Sequence, residues 1–371
     1  MSRERFSVIY HLIGEESLAL EKAQILCLEQ TVEVSDELVP DGFIRDHIIG
    51  QVAQFSQLAH QIYAAKISYD IETSAFELTQ LLNVIFGNSS IKAGIKVHRL
   101  HFGNKILFHF KGPRFGIVGL RKIVGIFDKP LLCTALKPMG QSPSEMAKLA
   151  YAFALGGIDI IKDDHGLSNQ PFCPYEERVK ACAEAVANAN QKTGQNCIYV
   201  PNITAPSTAI MQRVYYAKQQ GVGGLLIAPG LTGFDTMRAL AEDESVNLPL
   251  LSHPAFLGSM VISPANGFAH AVLFGQLQRL AGADASIYPN YGGRFGFIRE
   301  ECRSIAESCQ AKMGHYASIF PVPGGGMSLE QVPDMLDIYG NEVIFLIGGA
   351  LYSRSMDLVE NAQYFLSLVG R

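Results

Sequence analysis

Residues 131–167 read LLCTALKPMGQSPSEMAKLAYAFALGGIDIIKDDHGL. Two short apolar runs, LLCTALK (131–137) and IDIIK (158–162), each end in a lysine and flank a stretch that reads as a helix. Parallel neighbouring strands need a crossover of a dozen or more residues, and a helix between two loops fills this one. The unit repeats. Further runs stand at CIYVPN (197–202), GGLLIA (223–228), PLLSH (249–253), ASIYP (285–289), ASIFPV (317–322) and VIFLI (343–347). The eight starts lie 26–39 residues apart, room for a helix and two loops each time. PYEERVKACAEAVANANQKTG (174–194) is the clearest intervening helix. Pro174 marks its start, Val179, Cys182 and Val186 keep helical spacing, and Gly194 stops it. MSLEQVPDMLDIYG (327–340) is weaker, because Pro333 sits inside it. Eight strand–helix units across 126–371 predict a (β/α)8 TIM barrel. The competing doubly wound sheet lacks its GxGxxG after the first strand, where LLCTALKPMGQS stands instead.

Upstream, over 1–125, the pattern is mixed. RFSVIYHLIG (5–14) and AAKISYDI (64–71) look extended, while SLALEKAQILCLEQ (17–30) and AFELTQLLNVIFGN (75–88) have helical spacing. This interleaving predicts a smaller N-terminal α+β domain in an α/β protein. Gly112 and Pro113, in KGPRFGIVGLRKIVG (111–125), precede an expected linker.

Composition narrows the function classes. Of 371 residues, 48% are hydrophobic and 18% charged, against about 25% charged in an average soluble chain. Such a chain buries a large core and is not disordered. A net charge of −5 gives no footing for nucleic acid or an anionic membrane. Cys27, Cys133, Cys173, Cys182, Cys197, Cys302 and Cys309 contain no CxxC pair, which argues against a disulfide framework or cysteine zinc site and fits a reducing compartment. The opening MSRERFSVIYHLIGEESL reads as a first strand rather than a signal peptide, and no run approaches the roughly 20 apolar residues that cross a bilayer. The expectation is a soluble cytoplasmic protein.

Barrel enzymes place their chemistry at the C-terminal ends of strands. Those places hold Lys137; Lys162, Asp163, Asp164 and His165; Asn202 and Thr204; His253; Asn290 and Arg294; Gly324, Gly325 and Gly326; and Gly348 and Gly349. Strand alternation puts Lys162 and Asp164 on one side and Asp163 on the other. Two acids and an imidazole beside a lysine can hold a divalent cation. Taken alone, DDH reads as a solvated polar turn; its place after the wholly apolar IDII favours function. PVPGGGM and LIGGAL leave backbone N–H groups open to an anion where such barrels commonly bind phosphate. Lys137 reads as a proton carrier, a phosphate partner or simply an exposed lysine. His253 reads as a base, a hydrogen bonder or a satisfied core histidine.

KPLLCTALKPMG (129–140), GGIDIIKDDH (156–165), PNITA (201–205), SHPAF (252–256) and PGGG (323–326) follow the order and spacing of the ribulose-bisphosphate carboxylase (RuBisCO) large-chain superfamily. GPRFGI (112–117) and FGN (86–88) fit its N-terminal domain, so the resemblance spans nearly the whole chain and implies a ferredoxin-like N-terminal fold. The strand-two motif resembles that family's GGxDFxKxDE. By that resemblance Lys162 carries a carbamate, Asp164 is a metal ligand, and His165 stands where the family has glutamate, around Mg2+ or Mn2+. Departures point away from carboxylation. Met139 replaces a lysine that carboxylases use, His253-Pro254 lacks the arginine that grips a second phosphate, and ASIYPNYGGRFGF lacks the mobile-loop lysine. The chain therefore resembles the RuBisCO-like (form IV) branch.

The resemblance further implies a homodimer with a shared active site, to which Glu29 and Asn88 contribute from the neighbouring subunit. Locally, Glu29 also reads as a helix-face acid and Asn88 as a helix C-cap. The implied chemistry is metal-assisted enolisation of a small phosphorylated ketose, of isomerase or enolase type, such as methylthioribulose-1-phosphate isomerisation in methionine salvage. The enolase branch uses a lysine where Asn88 stands, which favours isomerisation. Alternatives are a decarboxylase of a branched 3-oxo sugar-acid phosphate (3-oxo-isoapionate 4-phosphate type) and a non-catalytic regulatory homologue.

Overall fold

The computed structural model describes residues 4–371. Its first part is a β-α-β-β-α-β arrangement: β1 (Arg5–Ile13), the helix Glu16–Glu29, β2 (Gln51–Ala59), β3 (Ile62–Asp70), the helix Leu78–Phe86 and β4 (Ile95–His101). The order β4-β1-β3-β2, with antiparallel pairing throughout, is ferredoxin-like. Strict alternation along β1 sends Phe6, Val8, Tyr10 and Leu12 to one face, where the two helices cover them. The Tyr10 hydroxyl donates to the Ile85 carbonyl at 2.6 Å and ties sheet to helix.

Eight parallel strands follow: β5 (Leu131–Leu136), β6 (Ile160–Asp163), β7 (Ile198–Val200), β8 (Leu225–Ile227), β9 (Leu250–Ser252), then, after the short β10 (Gly267–Phe268), β11 (Ala285–Pro289), β12 (Phe320–Gly324) and β13 (Ile344–Leu346). They form two halves, β13-β5-β6-β7 and β8-β9-β11-β12. A parallel bridge between Asn202 and Leu226 joins the halves at one seam, and β12 packs on β13 at the other. The result is the expected barrel. β10 leaves the barrel to pair in parallel with β4, which makes it the fifth strand of the N-terminal sheet.

Alternate residues fill the barrel. Leu131, Cys133, Ile160, Val200, Leu226, Leu251, Ile287, Phe320, Val322, Ile344 and Leu346 pack together inside, while Leu132, Leu136 and Ile161 face the outer helices. In place of the expected linker, the helix Gly116–Val124 puts Ile117, Leu120 and Val124 against this interior cluster. It is anchored by Asp284, whose Oδ1 accepts the N–H groups of Phe115 and Gly116 at 2.7 Å each. By packing, this helix goes with the barrel although it precedes residue 126. Pro333 breaks nothing: it lies in the first turn of the helix Val332–Tyr339, where its missing N–H has no intrahelical partner to lose. All seven cysteines are buried and unpaired. No helix among the described residues is long and apolar enough to cross a membrane.

Candidate active site

The parity that fills the barrel also builds its mouth. Stepping by two from Cys133 reaches Ala135 and Lys137; from Ile160, Lys162 and Asp164; from Leu251, His253; from Val322, Gly324; from Leu346, Gly348. Lys137, Lys162, Asp164, His165 and His253 line one cavity of about 810 Å³ together with Gly325, Gly326, Gly348 and Gly349.

Asp164 is the hub. Its Oδ1 lies 3.2 Å from Lys137 Nζ and 3.2 Å from His165 Nδ1. Burial would raise its pKa, but the His165 hydrogen bond and the Lys162 and Lys137 charges outweigh it and hold the carboxyl well below its ordinary range. A carboxylate only accepts, so His165 donates from Nδ1 in this contact and its Nε2 takes no part in it. His165 stacks on His253 with ring centroids 4.4 Å apart and planes within 12°. His253 has the opposite tautomer, since its Nδ1 accepts the Ala255 N–H at 3.2 Å. Burial first, then the Lys162 and His165 charges, pushes its pKa far down, so it is a neutral ring with Nε2–H as a donor.

Lys162 is only 2% exposed, and its amine donates to the Asp163 carbonyl at 3.0 Å. Burial lowers its pKa, which raises the fraction of neutral amine. Asp163 faces away, as alternation requires. It accepts from Arg178 Nε at 3.1 Å, the Tyr199 hydroxyl at 2.6 Å and the Asn202 N–H at 3.0 Å, all in the wall outside the barrel. Asn202 in turn donates to the carbonyls of His165 and Leu167 at 2.9 Å each, so it shapes the turn that presents His165. Thr204 accepts the Ala228 N–H and Asn290 accepts the Tyr339 hydroxyl; both are structural.

Gly325, Gly326, Gly348 and Gly349 stand at the same mouth, whereas Gly324 is buried at the end of β12, where its carbonyl accepts the Asn290 N–H at 2.8 Å. Gly325 and Gly326 have φ of +85° and +95°, a region that suits glycine, and their N–H groups have no acceptor among the described residues. A Cβ on Gly349 would meet nothing, so its backbone faces open cavity. Gly348 lies beneath the Lys137 stem, with 3.6 Å from Lys137 Cε to the position of a Cβ.

Glu29 and Asn88 meet elsewhere. Asn88 Nδ2 is 3.4 Å from Glu29 Oε1, and Lys92, unremarked in the sequence, pairs with Glu29 Oε2 at 2.6 Å. None of the three lines this chain's cavity. Asn88 follows the cap Gly87 rather than being the cap itself. Sequence reading also missed the cavity's apolar wall of Pro254, Phe256, Val261, Ile262 and Phe297. The signal was the apolar FLGSMVI (256–262) directly after His253, unbroken by charge.

Metal ligation is constrained by the same geometry. Among the described residues no three His, Cys, Asp or Glu side chains gather into a cage. Asp164 and His165 are the ligating side chains at this mouth, with the buried Lys162 amine beside them.

Comparison with known proteins agrees with this architecture. Residues 116–363 match the ribulose bisphosphate carboxylase large chain, catalytic domain. The 5-methylthioribulose-1-phosphate isomerase of Rhodospirillum rubrum is 35% identical over 99% of this chain and 96% of its own length. The 2,3-diketo-5-methylthiopentyl-1-phosphate enolase of Bacillus pumilus is 30% identical over 85% of this chain and 78% of its own. The crystal structure of a RuBisCO-like protein from Rhodopseudomonas palustris superposes with a TM-score of 0.90 at 34% identity, covering 100% of this chain and 99% of that one. The strand-end lysines, the KDDH turn, the paired glycine loops and these full-length matches place the chain in the RuBisCO large-chain family, among its RuBisCO-like members.

Proposed function

We propose that this chain is a divalent-metal-dependent isomerase that enolises a ketose monophosphate with an apolar tail, of the 5-methylthioribulose 1-phosphate kind, in the cytoplasm. One observation carries the reading. A charged hub of Lys137, Asp164 and His165 shares a cavity with two glycine loops and an apolar wall. Such a cavity matches a substrate with one anionic end and one apolar end. Pro254 stands in the wall where a second phosphate would need a cation.

Asp164 and a carbamylated Lys162 would hold Mg2+ or Mn2+, which would supply positive charge to acidify the carbon next to the ketone. His165 Nε2 takes the proton from that carbon, and Asp164 steadies the resulting imidazolium through Nδ1–H. The neutral His253 Nε2–H and the Lys137 ammonium, both lining the cavity, serve as donors to the enediolate's oxygens. His165 returns its proton to the adjoining carbon while the hydroxyl proton crosses to the former carbonyl oxygen, which completes the shift of the ketone. The isomerase direction is favoured over the enolase by Asn88 in place of a lysine and by the fuller match to the isomerase relative. Glu29, Asn88 and Lys92 complete the cavity of a second copy in a homodimer.

The test is 5-methylthioribulose 1-phosphate with the protein, Mg2+ and bicarbonate in D2O, followed by NMR. Deuterium bound to carbon and a new isomeric ketose phosphate support the proposal. Release of carbon dioxide from a 3-oxo sugar-acid phosphate would assign a decarboxylase instead. Absence of any exchange in this substrate overturns the reading.

A further inference from the structure

We propose that Tyr352, which does not itself line the cavity, positions Lys137: its hydroxyl stands in for the strand that β5 lacks at its end and so sets the direction of the lysine. The inference deepens the proposed reaction by naming what holds one of its two donors, and only its kinetic arm rests on that reading.

β5 pairs with β13 as far as Cys133 and Leu346. Along this seam the Leu131 N–H donates to the Val343 carbonyl and the Ile347 N–H to the Cys133 carbonyl. Carried on in steps of two, the same ladder would bond the Gly349 N–H to the Ala135 carbonyl and the Lys137 N–H to the Gly349 carbonyl. Gly349 instead opens the short helix Gly349–Ser353. Two backbone groups at the end of β5 are thereby left without a strand to meet, and burying them unpaired is costly. Tyr352, within that helix, fills both places with a single atom. Its hydroxyl donates to the Ala135 carbonyl at 3.0 Å and accepts the Lys137 N–H at 3.1 Å. Burial pushes the pKa of the phenol up, so it stays neutral and can donate and accept together.

The hydroxyl is itself held in place. The Tyr352 ring packs edge-on against the wholly buried Phe153, with centroids 5.1 Å apart. Asn361, also wholly buried, donates to the carbonyls of Leu351 and Ser355 at 2.9 Å each and pins the chain on both sides of Tyr352. Lys137 lies just past the last residue of β5, so its aim depends on this backbone. Its N–H is fixed by Tyr352 and its carbonyl accepts from Gln141 Nε2 at 3.3 Å. From that root the 34%-exposed side chain reaches Asp164 at 3.2 Å. A long side chain rooted in a loose strand end loses its aim, and about 1 Å of drift in a reacting geometry can cost about a hundredfold in rate.

Tyr352→Phe is the test, since it keeps the ring against Phe153 and removes only the hydroxyl. Its thermal midpoint should fall by a few degrees at most. Trace acetic anhydride, at one pH and without substrate, reads the lysine directly by mass spectrometry of the intact protein's peptides. Acetylation of Lys137 should quicken severalfold as the amine leaves Asp164, while the exposed Lys180 keeps its wild-type rate. With 5-methylthioribulose 1-phosphate, kcat should fall about tenfold while KM stays within about twofold. In a Lys137→Met background the same change should cost less than about twofold more, because no ammonium is left to aim. An equal loss in both backgrounds makes Tyr352 a support of the fold alone and overturns the proposal. Unchanged Lys137 labelling in Tyr352→Phe overturns it as well. Quickened labelling in a protein that never turns over the ketose phosphate would leave the positioning role standing and sink the proposed reaction.

Discussion

At Asp164 a single oxygen is shared between a lysine and an imidazole, and this sharing fixes what His165 can do. With Nδ1 turned to Asp164, the ring is placed as a base rather than as a donor to metal through that atom. His165→Glu replaces a neutral ring with an anionic oxygen donor beside Asp164, the kind of ligand magnesium prefers. Magnesium binding should tighten severalfold while turnover falls about a hundredfold, the usual worth of a positioned base. Calorimetry and deuterium exchange read the two quantities separately. If neither changes, His165 is neither ligand nor base. Next to Asp164, Asp163 is a structural acid. Its partner Arg178 is wholly buried and also donates to the carbonyls of Cys173 and Ser168 at 2.9 and 2.8 Å. Arg178→Met strands a buried carboxylate and should cost about 3–5 kcal/mol, measured by urea unfolding.

Among the elements, those with at least one regularly buried face were legible and those mostly exposed were not. β5 and β6 are buried along their whole length, so LLCTAL and IIKD stand out as apolar runs closed by chemistry. β2, QVAQFSQLA, pairs with β3 at the sheet edge and is mostly exposed, so its side chains carry no alternation to read. β4 mixes buried Ile95 and Val97 with Lys96, His98 and Arg99, and charge masks the strand. β12 begins three residues after its sequence run, because Ala317 and Ser318 cap Arg279 and Ile117 with their carbonyls instead of joining the ladder. Within the site, the strand ends named Lys137 and His253 and alternation paired Lys162 with Asp164, but no local pattern could show Lys92 reaching back to Glu29. The N-terminal sheet has its own pH response. His11 and His98 stack at 3.8 Å on β1 and β4. Burial, then the charges of His11, Arg99 and Lys96, lowers His98 to about 4. The native state therefore binds fewer protons than the unfolded chain between about 6.5 and about 4. Stability present above the upper value is lost as pH falls through that window. His98→Gln should shrink the drop in urea midpoint between pH 7 and pH 5; an unchanged drop would place the acid sensitivity elsewhere.

For the whole molecule, assembly has a direct readout. Lys162→Ala removes the buried lysine of this chain's cavity, and Asn88→Ala removes an edge residue remote from it. If the edge serves a second copy, each variant alone is nearly inactive. Mixed and reassembled dimers should then recover up to about a quarter of wild-type activity, since half of the sites in a mixed dimer are intact and half of random dimers are mixed. No recovery in verified heterodimers would refute a shared site. The detour that places β10 against β4 has a different consequence. The segment from Pro254 to Asn266 is fastened at both ends, by barrel hydrogen bonding at His253 and by the sheet pairing that begins at Gly267. It carries much of the apolar wall and none of the charged hub. Lineages could exchange this insert as a cassette, altering the tail that a substrate bears while the acid–base machinery is inherited intact.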